Sequence, residues 1–220
     1  MMSVAGDSPN EARSSIFFVG DEPYCLWGVD IQDDARRFLE SFDCDYFDYL
    51  LEVHGTAADE DRAAMSLRTA YHHAMETLFS FLGALLQGPH VPHAWIARCT
   101  NRELGVLIQR ISNGDNSLRK AINIEACTWE ELARASLHWY KPGTERQQTS
   151  IDLFADLWSK LAVEFVDDKR IDEYNSLKHG FRVAAGGFDL AVGAEHEYGV
   201  PPPADEMKSL GGSKYGTRFQ

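Results

Sequence analysis

"SLRTAYHHAMETLFSFLGALLQG", residues 66–88, decides the fold class of this chain. Leu67, Tyr71, Ala74, Leu78, Phe81 and Leu85 alternate in steps of four and three. That spacing gives a helix from about Ala58 to Gln87 one continuous apolar side, as in a tightly packed bundle. Thr77, Ser80, Gly83 and Ala84 form a row of small residues beside it, over which a second helix can approach closely. "QGPHVPH" at 87–93 then breaks the run with two prolines.

Helical spacing continues on both sides. Leu39, Phe42, Tyr46, Tyr49 and Val53 read as the stripe of one helix that starts near Asp33 and stops at His54-Gly55. Leu104, Leu107, Ile108 and Ile111 predict a short helix terminated by "SNGDN". Thr128-x-x-Glu131 reads as a capping box opening a helix through Tyr140, closed by "KPG". Ile151, Phe154, Trp158, Leu161 and Phe165 make another stripe. The polar run "DDKR" at 167–170 interrupts it, and Ile171, Tyr174, Leu177 and Phe181 resume in a different phase, so a kink or break is expected there.

The remaining segments differ in texture. "SIFFVG" with "DEPYCLWGV" reads as a short strand or an apolar arm docking on the domain. "FRVAAGGFDLAVG" at 181–193 predicts a β-hairpin turning at Gly186-Gly187, and the Pro- and Gly-rich remainder reads as loop. The expectation is an all-α helical bundle at residues 33–182, with an N-terminal arm at 1–32 and a hairpin or irregular appendage with a Pro/Gly-rich tail at 183–220.

Composition narrows the function. With 44% hydrophobic and 25% charged residues, the 220-residue chain can bury a core of its own. No run approaches the ~20 apolar residues of a membrane-spanning helix, and "MMSVAGDSPNEARSS" lacks a secretory pattern, so a cytoplasmic protein without membrane contact is expected. Cys25, Cys44, Cys99 and Cys127 are scattered, without a CxxC pair, which fits reduced thiols. A formal net charge of −13 argues against a broad nucleic-acid-binding face, because such faces work by neutralising phosphates. It leaves room for an enzyme that touches a few nucleotides.

The chemistry-bearing stretch is "EYNSLKHGFR", residues 173–182. Asn175 and His179 lie four residues apart, about 40° around a helix, with Lys178 beside them and Arg170 on preceding turns. Histidine can move protons near neutral pH, while Arg, Lys and Asn can hold a phosphate or its transition state. These are the parts of a metal-independent ribonuclease. The same residues also suit an ordinary helix end, where cations meet the negative pole of the macrodipole and a glycine follows.

The N-x-x-K-H-G signature, late in a helical chain, resembles the HEPN (higher eukaryotes and prokaryotes nucleotide-binding) superfamily in its broad sense. The resemblance spans about Asp33 to Arg182 by architecture and a few residues by motif. It implies a helical bundle, a metal-independent ribonuclease activity in a toxin–antitoxin or antiviral defence system, and a dimer whose site forms between two copies. His179 would then be the acid/base group, Asn175 its orienting partner, and Lys178 or an arginine the phosphate holder.

One feature departs from the family pattern of Arg, four to six residues, then His. Arg170 precedes His179 by nine positions, which sets the two about 180° apart on one ideal helix. The formal spacing occurs instead in "RTAYHH", where Arg68 precedes His73 and shares a face with His72. Arg68, His72 and His73 are therefore the second-choice set, with paired helix-flank histidines as the plainer reading. His90-x-x-His93 with Cys99 sketches three metal ligands without completing a site, so no metal is expected, and no phosphate loop or other cofactor motif is present. The expected partners are a second copy of the chain, an RNA substrate and a partner protein such as an antitoxin or defence component. The alternative of another class is a non-catalytic helical interaction module that mediates self-association or binds a partner protein.

Overall fold

The computed structural model of the protein describes residues 13–178, 183–185, 188–198, 200–213 and 217–219. Among these residues the chain is helix-rich, with eight α-helices and six short strands paired in twos. In order they are β1 (Arg13–Val19), β2 (Glu22–Gly28), α1 (Ile31–Glu40), α2 (Tyr46–Gly55), α3 (Glu60–Gln87), α4 (Pro92–Arg98), α5 (Asn101–Ser112), α6 (Trp129–Ser136), α7 (Thr144–Phe165), α8 (Asp168–Lys178), β3 (Val183–Ala185), β4 (Phe188–Val192), β5 (Lys208–Ser213) and β6 (Thr217–Phe219).

The chain forms two compact units, Met1–Asp43 with Ala74–Asp167, and Cys44–His73 with Asp168–Gln220. α3 contributes to both, changing unit between His73 and Ala74.

In the first unit, β1 and β2 form an antiparallel hairpin from Arg13↔Gly28 to Val19↔Glu22. Gly20 takes φ 63° in the turn, a conformation that costs a glycine little. The inner face of the hairpin buries Phe17 and Val19 in the main core. The fully buried Trp95 of α4 lies against them and donates its indole N–H to the Phe18 carbonyl at 2.7 Å. Gln87, also fully buried, acts as a clamp. Its amide oxygen accepts from Gly20 N at 3.0 Å, and its amide nitrogen donates to the carbonyls of Gly20 and Arg119 at 2.7 and 2.9 Å. A buried polar side chain is tolerable here because its hydrogen-bonding groups are satisfied.

Two of the four small residues on α3, Gly83 and Ala84, are covered from within the chain, while Thr77 and Ser80 are half-buried. A Cβ added at Gly83 would stand 2.4 Å from the Trp95 ring, and Ala84 is buried. At Gly83 the close approach read from this row is made by Trp95 of α4, a helix opened by Pro92 in its first turn.

The buried stripe of α3 is also rotated from the expected one. Met75, Phe79, Leu82 and Leu86 are the deeply buried positions, while Leu67, Tyr71, Ala74, Leu78, Phe81 and Leu85 are half-buried. The helix is apolar on two adjoining sides, and the most deeply covered line runs beside the seam that spacing singles out.

α5 buries Leu104, Leu107, Ile108 and Ile111 and ends at Asn113, as its pattern predicts. It opens with a full capping box between Thr100 and Glu103. α6 starts at the Thr128 cap, where the hydroxyl accepts from Glu131 N, but stops at Ser136 and not at Tyr140. α7 and α8 are separated at Val166-Asp167, within the interruption expected there.

Two expectations are corrected. The segment from Asp33 to Gly55 is not one helix. "SFDCD" at 41–45 separates α1 from α2, and Leu39, Phe42, Tyr46, Tyr49 and Val53 are all exposed. Ser41 N–H donates to the Arg37 carbonyl and its hydroxyl to the Phe38 carbonyl, and Phe42 N–H donates to the Leu39 carbonyl. Short polar side chains compete for backbone hydrogen bonds and favour such ends. The second correction concerns the C-terminal β structure, within the other unit. β3 does not pair with β4. β3 pairs with β6, from Val183↔Phe219 to Ala185↔Thr217, and β4 pairs with β5, from Phe188↔Ser213 to Val192↔Lys208. The partner strands come from the segment read as loop, where glycine content hides the pairing. Gly186 and Gly187 lie outside the described residues.

Candidate functional site

The site is built within the second unit, on α3 up to His73 and on α8. Arg68 and His72 are one turn apart on α3 and share a face. Glu173 of α8 meets both. Its Oε1 accepts from Arg68 Nε at 3.1 Å and its Oε2 from Arg68 Nη2 at 2.7 Å, a two-point guanidinium–carboxylate pair. The same Oε2 lies 3.7 Å from His72 Nε2. Burial makes the arrangement consequential, since the side chains of Arg68, Glu173 and His72 are only 24%, 12% and 6% exposed. Rings close the sides. Tyr174 stacks on His72 at 4.9 Å between centroids, and Tyr71 lies under the Arg68 guanidinium at 5.4 Å. Neither Glu173 nor Tyr174 was singled out by sequence reasoning for this role. The signal that could have suggested Glu173 is an acid one turn before the buried Leu177, beside the apolar stripe of the motif-bearing helix.

His73 stands apart from this cluster. It is exposed and sits edge-on to Phe47 and Tyr46 of α2, at 5.4 and 6.5 Å. The second-choice set thus divides: Arg68 and His72 share a carboxylate, and His73 faces an aromatic pair.

Of the first-choice residues, Asn175 is exposed on α8 and Arg170 is half-buried on its first turn. Lys178 is the last residue of the helix. His179 lies outside the described residues. Asn175 is two positions from Glu173, about 160° around the helix, so it leaves α8 on the side away from the ion pair.

The remaining candidates do not converge. His93 packs its ring near Phe38 at 6.1 Å, His90 is exposed, and the Cys99 thiol donates to the Thr100 carbonyl at 3.6 Å. Burial, with Glu103 nearby, pushes the Cys99 thiol up to about 12. Among the described residues no three His, Cys, Asp or Glu side chains come together as metal ligands. Among them, too, no helix is long and apolar enough to cross a membrane.

Comparison with protein-family models, curated proteins and solved structures finds no match to this chain.

Proposed function

We propose that this is a HEPN-like helical protein acting as a metal-independent endoribonuclease, with N-x-x-K-H-G as its reactive segment. The observation that supports the reading is the position of Asn175. It is exposed on a helix whose other side is anchored by the buried Arg68–Glu173 pair. An anchored helix with an exposed polar motif residue suits a site that must hold a phosphate in a fixed geometry.

In this reading the ribose 2′-hydroxyl attacks the adjacent phosphorus and the bond to the 5′-oxygen breaks. The products are a 2′,3′-cyclic phosphate and a 5′-hydroxyl. His179 moves the proton, Asn175 orients its ring, and Lys178 or an arginine holds the charged oxygens. Arg68 and Glu173 position α8. A role for Arg68 on the phosphate itself would require the phosphate to displace Glu173 from a two-point contact.

The test is cleavage of single-stranded RNA by the purified chain in the presence of EDTA. Cyclic-phosphate ends are expected, with at least a hundredfold loss in His179→Ala and a smaller loss in Asn175→Ala. Cleavage that is absent in the parent chain, or unchanged from the parent in both variants, refutes the proposal.

A specific observation favours the second reading, an interaction module. α2 buries none of its residues, and Tyr46, Tyr49, Leu51 and Val53 all stand exposed. An apolar surface of this kind suits protein contact.

A further inference from the structure

We propose that the hollow between the β1–β2 turn and the loop after α5 is a binding site for a small phosphate monoester, with Arg119 and Lys120 on the phosphate and the Phe18 ring against the group that carries it. The site lies wholly in the first unit and is independent of the ribonuclease reading.

The loop is long and irregular, yet it is held by specific bonds. From Asn113 to Thr128 the chain has no regular secondary structure, and connections longer than about 12–15 residues of this kind are usually either functional or disordered. Asp115 accepts from Ser117 N at 2.9 Å and from Arg110 Nε at 2.7 Å. Asn116 Oδ1 accepts from Cys127 N at 2.9 Å, and Ala121 N donates to the Leu86 carbonyl at 2.7 Å. Two links tie the loop to the hairpin. Gln87 donates to the carbonyls of both Gly20 and Arg119, and Arg110 Nη1 reaches Asp21 at 2.8 Å. The two walls of the hollow are thus fixed to each other without a ligand, which lowers the ordering cost of binding one.

These bonds engage backbone groups and acids and leave two cations over. The hollow has a volume of about 470 Å³ and is lined by Phe18, Asp21, Ser117, Leu118, Arg119 and Lys120. Asp21, the one carboxylate of the lining, is paired with Arg110, and the Ser117 hydroxyl donates to Asp115 at 2.6 Å. Among the described residues no carboxylate pairs with Arg119 or Lys120. The Arg119 guanidinium stands 5.9 Å from the centre of the Phe18 ring. Lys120 uses one of its three N–H donors on the Ile124 carbonyl, at 3.3 Å. Between Asp115 and Glu125 the sequence has no acid, in a chain whose formal net charge is −13.

The chemistry of the ligand follows from these groups. Neighbouring cations whose nearby acids are already engaged leave positive charge for a ligand to neutralise. The fork of a guanidinium and the remaining ammonium donors suit the several oxygens of a phosphate better than the two of a carboxylate. Phe18 supplies an apolar wall that inorganic phosphate cannot use. Its backbone is fixed by the bond from Trp95 Nε1 to its carbonyl at 2.7 Å, and its ring is half-buried, with area left to cover.

Phenyl phosphate, inorganic phosphate and phenol are the probes, titrated into the full chain and followed by amide chemical shifts. Phenyl phosphate is expected to bind with a dissociation constant of about 1 mM and to shift the amides of Phe18, Ser117, Arg119 and Lys120. Inorganic phosphate should shift the same loop amides with an affinity at least about fivefold weaker, and phenol should shift none of them. Arg119→Gln and Lys120→Gln should each weaken phenyl phosphate at least about fivefold. Both keep the backbone bonds of the loop, and circular dichroism verifies folding. Phe18→Leu should remove the preference for phenyl phosphate over inorganic phosphate.

No binding of phenyl phosphate to the parent chain up to about 20 mM overturns the proposal. So do shifts confined to amides elsewhere, which would mark adventitious binding only, and binding that neither glutamine variant weakens. Equal affinity for phenyl phosphate and inorganic phosphate in the parent chain overturns it as well, because the Phe18 wall would then recognise nothing. Mapping on the parent chain decides the matter where a variant does not fold.

Discussion

Arg68 and Glu173, 105 residues apart in sequence, join α3 to α8 through two hydrogen bonds of 3.1 and 2.7 Å. Both side chains are mostly buried, and His72 lies against the same carboxylate oxygen. Removing one partner leaves the other charge in a poorly hydrated place. Glu173→Gln is expected to cost about 1–3 kcal/mol, less than a fully buried pair because Arg68 retains some exposure. Urea denaturation of the parent and Glu173→Gln chains measures it. A change below a few tenths of a kcal/mol would show that the pair does not anchor α8.

Gly83→Ala sets two effects against each other. Alanine improves helix propensity by about 1 kcal/mol. Its methyl group, however, would stand 2.4 and 2.9 Å from atoms of the buried Trp95 ring and 3.1 Å from Leu107. Overpacking typically costs about 1–3 kcal/mol, and the ring is itself held by its bond to Phe18. A net loss of stability and a lower Tm are expected. An unchanged or raised Tm would mean that Trp95 shifts freely.

Gln87 offers a cleaner test of buried hydrogen bonding. Gln87→Leu keeps most of the volume and removes all three bonds to Gly20 and Arg119. Gly20 is half-buried and Arg119 exposed, so water can take over part of the lost bonding, and a loss of about 1–2 kcal/mol is expected by thermal or chemical denaturation. Faster amide exchange at Gly20 than in the parent should accompany it.

The pH dependence of the loop after α5 has a defined sign. Hydrogen bonds from Ser117, then from Arg110, hold the Asp115 carboxyl down to about 2, from an ordinary 3.8. A lowered carboxyl favours the folded state above the unfolded pKa, and that contribution disappears as pH falls from about 4 through about 2. Asp115→Asn should therefore be less stable than the parent at neutral pH, and the difference should shrink towards pH 2. A difference that stays constant across that range would exclude the ionised carboxylate as its source.

Thiol labelling distinguishes the cysteines. Cys25 and Cys44 are exposed, whereas burial raises the pKa of both Cys99 and Cys127. Because the thiolate is the reactive species, two thiols should label quickly in the folded chain at pH 8 and two only on unfolding. Fast labelling of all four would contradict the packing around α4 and α6.

The sequence by itself determined where most helices lie. The periodic apolar residues of α5, the Thr128 cap of α6 and the polar break between α7 and α8 are local signals, set by side-chain spacing and backbone hydrogen bonding within a few residues. Only the tertiary structure decided which apolar side is buried. The exposed line on α7 and the half-buried seam of α3 have the same periodicity as core stripes, because periodicity records a face and not what covers it. Strand pairing was hidden for a similar reason, since β3 and β4 are neighbours in sequence but find partners more than fifteen residues away. The Arg68–Glu173 pair is the limiting case. No local rule couples residues so far apart, and the pair exists because packing carries two helices together and burial then makes an unpaired charge costly.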